Sequence, residues 1–144
     1  MIELSGKVVR GVQHFRERMA NFPSAFHAAT NEDLYPGTIN VDVGRIIKIH
    51  SEIRIKDPKH DEPDQDLLFE RCQINGIDAF RIRPFNTKTG AGGHGDNILE
   101  IASSKKIDGV DCGNTVKITL FRDTNEYKCD SQSDANIWLL LVQG

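Results

Sequence analysis

The chain has 144 residues, 38% of them hydrophobic, and a formal net charge of −3. That length suits one domain around one core, so residues 1–144 are expected to form a single unit. The weak negative charge gives no general attraction to nucleic acid or to an anionic membrane surface, and no apolar run approaches the roughly 20 residues that span a bilayer. The first residues lack the long apolar stretch of a signal peptide. A cytoplasmic protein that acts on small molecules, with neither nucleic acid nor membrane as partner, is the expectation. Cys72, Cys112 and Cys129 are odd in number and widely spaced, and they read as reduced, structural thiols.

Short Ile- and Val-rich runs separated by turn residues dominate the chain, which points to an all-β protein. Residues 4–9 make a first strand. Residues 13–29 hold the one helical stretch, broken by Pro23, with Phe15, Met19 and Phe22 spaced as an apolar stripe. Residues 37–43 form a second strand in which Ile39, Val41 and Val43 face one way and Thr38, Asn40 and Asp42 the other. Ile46, Ile47 and Ile49 read as a third strand, followed by 52–55.

The acidic, proline-interrupted stretch 57–66 reads as a solvated loop. Runs 67–74 and 77–84 flank Asn75-Gly76, a dipeptide suited to a type I′ turn because both central residues need positive φ. After the glycine-rich stretch 87–96 come strands at 97–102, 115–121 and 136–142. Regularly spaced short strands with one helical insertion imply a closed or nearly closed barrel, which removes exposed edges, with a two-sheet sandwich as the alternative.

Thr38 and Asn40 are carried on one strand face about 7 Å apart. They offer two neutral oxygens, enough for a Mg²⁺ whose other ligands are phosphate and water, although polar residues on the wet face of a strand would look the same. Glu100 interrupts the apolar run 98–102, where a carboxylate is costly unless it reaches water, a partner or a ligand. The string Gly90-Ala91-Gly92-Gly93-His94-Gly95 admits either a loop that covers a substrate or a direct ligand role. It does not run from a strand into a helix, as a dinucleotide fingerprint does. The five histidines show no zinc-hydrolase spacing, and there is no nucleophile elbow.

Pro36-Gly37-Thr38-Ile39-Asn40-Val41 resembles the Gly-Thr-Leu-Asn-Val signature of the archaeal CTP-dependent riboflavin kinases. Around it, in family order, stand the strand containing Gly6 to Gly11, then Cys72-Gln73-Ile74-Asn75-Gly76, Phe80-Arg81-Ile82-Arg83-Pro84, Ile98-Leu99-Glu100-Ile101-Ala102 and Gly113-Asn114-Thr115-Val116-Lys117-Ile118. The resemblance covers roughly residues 4–121 and implies a small, closed, cradle-loop β-barrel.

It implies a phosphotransferase that moves the terminal phosphate of a nucleoside triphosphate, CTP in that family, to riboflavin, giving FMN. Mg²⁺ would be the cofactor, held by Thr38 and Asn40. Gly11, Val12, Gln13, His14, Phe15 and Arg16, with Ser104, Lys105 and Lys106, would bind the nucleotide. Glu100 would act on the substrate hydroxyl, and Thr87, Thr89 and His94 would join it around the flavin. The family's nucleotide loop carries glycine at alternate positions so that backbone amides can approach phosphate. Here only Gly11 remains, and the segment after Glu100 also departs from the family pattern. A non-catalytic flavin- or nucleotide-binding barrel of the same family is therefore the alternative, with an unrelated β-barrel interaction module behind it.

Overall fold

The computed structural model describes residues 1–11, 15–58, 66–85 and 95–122. In chain order the elements are β1 (Ile2–Val9), α1 (Arg16–Asn21), α2 (Pro23–Thr30), β2 (Ile39–Asp42), β3 (Ile53–Ile55), β4 (Leu67–Ile74), β5 (Ile77–Pro84), β6 (Ile98–Ala102) and β7 (Thr115–Leu120). Antiparallel pairing runs β4, β5, β6, β2, β1, β7 and back to β4, so six strands close into a barrel. Because β5 pairs along the whole of β4, the other edge of β4 is shared. Its Leu67, Leu68 and Phe69 pair with β3, and its Cys72, Gln73 and Ile74 with β7.

Strand alternation sends two apolar sets to opposite faces of this wall. Ile2, Leu4, Val8, Val41, Ile74, Ala79, Leu99, Ile101, Val116, Ile118 and Leu120 fill the interior, drawn from every strand of the ring. Leu67, Phe69, Phe80, Ile82 and Ala102 face outward and are covered by Phe15, Met19 and Phe26 of the helical segment. The Phe26 and Phe69 rings meet edge to face at 6.1 Å. Each such fully buried side chain contributes about 1.5–3 kcal/mol of transfer free energy, and the outer cluster is what holds the helices on the barrel.

The interior also encloses charge. Glu70 and Arg81 are direct cross-strand partners on the inner face. Arg122 Nη2 donates to Glu70 Oε1 at 2.8 Å and to the Lys48 carbonyl at 3.0 Å. The His50 amide donates to the same carboxylate oxygen at 3.1 Å. Arg81 Nη2 donates to the Ile47 carbonyl, and Arg83 Nε meets Asp96 Oδ1 at 2.6 Å. Burial raises the Glu70 pKa, against the pull of Arg122 and Arg81, and lowers that of Arg81 to about 10.

The Asn75-Gly76 hairpin forms as expected, with φ of 51° and 80°. The helical stretch does break at Pro23, which becomes the first residue of α2. Three expectations need correction. Residues 46–49 are not a strand: Ile47 is buried in the interior, its amide bonding the Asp96 carbonyl at 3.0 Å, while Ile46 is 60% exposed. Phe22 is not in the apolar stripe, because as the residue between the two helices it leaves their common face, and Phe26 takes its place in the cluster. Asp57, expected in a solvated loop, is buried against Arg18 Nη1 at 2.9 Å. The strand expected at 136–142 and Cys129 lie outside the described residues. Cys72 and Cys112 are free thiols, the first buried and pushed up to about 12 by that burial.

Candidate functional site

The site is organised by the pairing of β2 with β6. Asn40 stands opposite Glu100, flanked by Ile39 opposite Ile101 and Val41 opposite Leu99. Since Val41, Leu99 and Ile101 fill the interior, Asn40 and Glu100 project together on the outer face of the wall. Both are only 5% exposed. Gly11 lies directly on Asn40, and any side chain at position 11 would have to displace its amide group.

Asn40 Nδ2 donates to the Thr38 carbonyl at 3.3 Å, whereas Asn40 Oδ1 is buried with no hydrogen-bond partner among the described residues. A buried amide oxygen left without a donor costs about 1–3 kcal/mol. A cation would remove that cost. The pair Thr38 and Asn40 therefore fits the small donor set that a phosphate-bound Mg²⁺ needs from a protein. Among the described residues no group of three or more His, Cys, Asp or Glu side chains could form an all-protein metal cage. Asp42, on the same face, is committed elsewhere: its Oδ1 accepts from the Gly44 amide at 2.9 Å and from Asn97 Nδ2 at 3.3 Å.

Burial lifts the Glu100 carboxyl from its ordinary 4.5 to about 7, against the attraction of Arg83 and Arg81. No hydrogen bond to Glu100 is found among the described residues. A carboxyl held near neutrality in a sheltered place has the proton affinity of a general base.

Next to this pair opens a cavity of about 480 Å³, within the range of small-molecule sites. Arg16, Thr38, Lys105 and Lys106 line it, together with Tyr35, Gly37, Ile39, Ala102 and Ser103. Among the described residues no carboxylate does. Among the described residues Arg16, Lys105 and Lys106 form no ion pair, so the cavity presents uncompensated positive charge. The Gly37 amide donates to Met19 Sδ at 3.4 Å, and the Tyr35 amide donates to the Ser103 carbonyl at 3.0 Å. The turn before β2 is thus tied to α1 on one side and to the segment after β6 on the other. Ser103 Oγ accepts from the Lys105 amide at 3.1 Å and donates to the Asp78 carbonyl at 2.9 Å, which fixes where Lys105 begins.

Not every candidate gathers here. Ser104 Oγ donates to Glu32 Oε1 at 2.6 Å and does not line the cavity. The Phe15 side chain is spent on the outer apolar cluster. Glu100 and Asn40 lie one register step along the strands from the Ile39 and Ile101 pair that lines it. Val12, Gln13, His14, Thr87, Thr89 and His94 lie outside the described residues. Tyr35 and Ser103 were not singled out from the sequence. An aromatic residue just before a Pro-Gly turn was the available signal for the first, and nothing local marked the second.

The site is a cationic cavity in the wall of a closed β-barrel, one register step along β2 and β6 from two buried polar groups. No family model matches the chain. It is 31% identical over 109 residues to the riboflavin kinase of Staphylothermus marinus, an alignment that covers 74% of this chain and 79% of that protein. The chain belongs to the riboflavin kinase family.

Proposed function

We propose that the protein is a Mg²⁺-dependent kinase that transfers the terminal phosphate of CTP to the 5′-hydroxyl of riboflavin, giving FMN and CDP. Family membership supports the acceptor and the reaction. The observation that most supports a triphosphate donor is the cavity itself: Arg16, Thr38, Lys105 and Lys106, remote in sequence, share one anion-attracting space.

In this reading Arg16, Lys105 and Lys106 hold the polyphosphate, and Thr38 and Asn40 supply the protein oxygens for the metal ion. When bound, Mg²⁺ neutralises phosphate charge and orients the terminal phosphoryl group. Gly11 lets the chain pass close over Asn40 and keeps its amide in place. Glu100 in its ionised form takes the proton of the riboflavin 5′-hydroxyl as that oxygen bonds to the terminal phosphorus. The bond from that phosphorus to the bridging oxygen breaks, and the electron pair leaves with CDP. The proton on Glu100 then passes to water. Catalysis of this kind rests on positioning and electrostatic stabilisation.

Incubation with riboflavin, Mg²⁺ and either CTP, UTP, ATP or GTP, followed by chromatography, tests the reading. FMN should form, fastest with CTP; no FMN with any donor would overturn it. The non-catalytic alternative is favoured by the loss of all but one glycine from the loop at Gly11. It predicts thermal stabilisation by riboflavin or nucleotide without turnover.

A further inference from the structure

We propose that Tyr35 is the platform on which the base of the nucleoside triphosphate stacks. The inference rests on the kinase reading and adds to it the place of the nucleoside. Tyr35 is 60% exposed, yet it lines the same cavity as Arg16, Lys105 and Lys106. A large ring left open beside uncompensated cations matches a ligand that is flat and aromatic at one end and polyanionic at the other. A nucleoside triphosphate has that chemistry. Riboflavin also offers a flat ring system but carries no anionic group for the cations, and Glu100, the acidic group assigned to it, does not line this cavity.

The ring is carried on a pinned turn. The Tyr35 amide is bound to the Ser103 carbonyl at 3.0 Å, Pro36 restricts the next φ, and Gly37 is tied to Met19 Sδ at 3.4 Å. Little backbone freedom is left to lose on binding, which favours affinity. Stacking on an aromatic face tolerates any base. Tyr35 therefore contributes grip on the nucleoside and leaves the choice among bases to other contacts.

Calorimetric titration of the full chain in Mg²⁺ with CTP, UTP, ATP, GTP, inorganic tripolyphosphate and riboflavin tests this on Tyr35→Ala and Tyr35→Phe. Tyr35→Ala should weaken every nucleotide by about five- to 100-fold. Their order of affinity should stand, as should the affinities for tripolyphosphate and riboflavin. Tyr35→Phe should bind nucleotides as the native chain does. Since the ring is mostly exposed, both variants should melt close to the native chain, and a melt of each checks this. Unchanged nucleotide binding by Tyr35→Ala, or an equal loss for tripolyphosphate, would overturn the platform while leaving the kinase reading in place. A loss confined to riboflavin would assign the ring to the flavin instead and overturn it too. A native chain that binds no nucleoside triphosphate would overturn the kinase reading and this one with it.

Discussion

Two sets of polar groups sit on one barrel, and the fold treats them differently. On the inner face Glu70, Arg81, Arg83, Arg122 and Asp96 find opposite charges and backbone carbonyls from the chain itself, although among the described residues Arg81 Nε and Nη1 and Arg122 Nε have no hydrogen-bond acceptor. In the second set, among the described residues, Arg16, Lys105 and Lys106 have no carboxylate and Asn40 Oδ1 has no donor, and burial lifts the Glu100 carboxyl to about 7. Groups with protein partners support the barrel. Groups left without them are the ones that the proposed kinase reading assigns to substrate and metal.

The sharpest way to break this contrast is to attack the inner set. Glu70→Ala leaves Arg81 and Arg122 buried without their shared carboxylate, and chemical denaturation should show a loss of about 3–5 kcal/mol. A loss below about 1 kcal/mol would mean that the inner charges are no more structural than the second set.

In the second set the effects should fall on rate. Glu100→Gln should lower the rate of FMN formation by about 10²- to 10⁴-fold, the usual scale for a lost general base. Its effect on stability should have the opposite sign. The fold holds the Glu100 proton more tightly than the unfolded chain does, so that contribution is complete below the ordinary 4.5 and is lost as pH rises to about 7. At pH 8 the Gln variant should therefore be more stable than the native chain, and the native rate should climb with pH through about 7. A native rate that is flat from pH 6 to 8 would remove Glu100 from the base role.

Asn40→Ala should cost about ten- to 100-fold in activity or in apparent Mg²⁺ affinity, as changes around metal sites do. Its melting temperature should scarcely move, since relief of the unsatisfied amide oxygen offsets the lost bond to the Thr38 carbonyl. Equal losses of activity and stability would place Asn40 with the inner set. The smallest effects belong to Lys105→Ala and Lys106→Ala: a several-fold rise in the KM of the triphosphate, with stability changed by less than about 0.5 kcal/mol.

Much of the architecture was legible because it depends on short-range rules. Asn75-Gly76 declared its hairpin through the φ angles it tolerates, and the alternation of Ile39, Val41 and Val43 against Thr38, Asn40 and Asp42 separated the two faces of the strand, although it did not say which of them the barrel would enclose. Glu100 stood out as a charge in an apolar run. The inner ionic cluster was not legible, because Glu70 and Arg81 look like wet-face residues until strand register places them side by side. Ile46 and Ile47 misled because a buried irregular segment and a strand edge use the same residues. Tyr35 and Ser103 take their meaning from the hydrogen bond between their backbones, which joins positions 68 residues apart in number and has no local trace.

The pairing that closes the wall sets an order of events during folding. The β4 and β5 hairpin is local, whereas Ile2 of β1 pairs with Leu120 of β7, and Ile74 of β4 pairs with Ile118. Until β7 is available, β1 and the second half of β4 each present a free hydrogen-bonding edge. A nascent chain must therefore keep two templates for wrong pairing unspent until its seventh strand emerges, and such long-range closure is slow and exposed to aggregation.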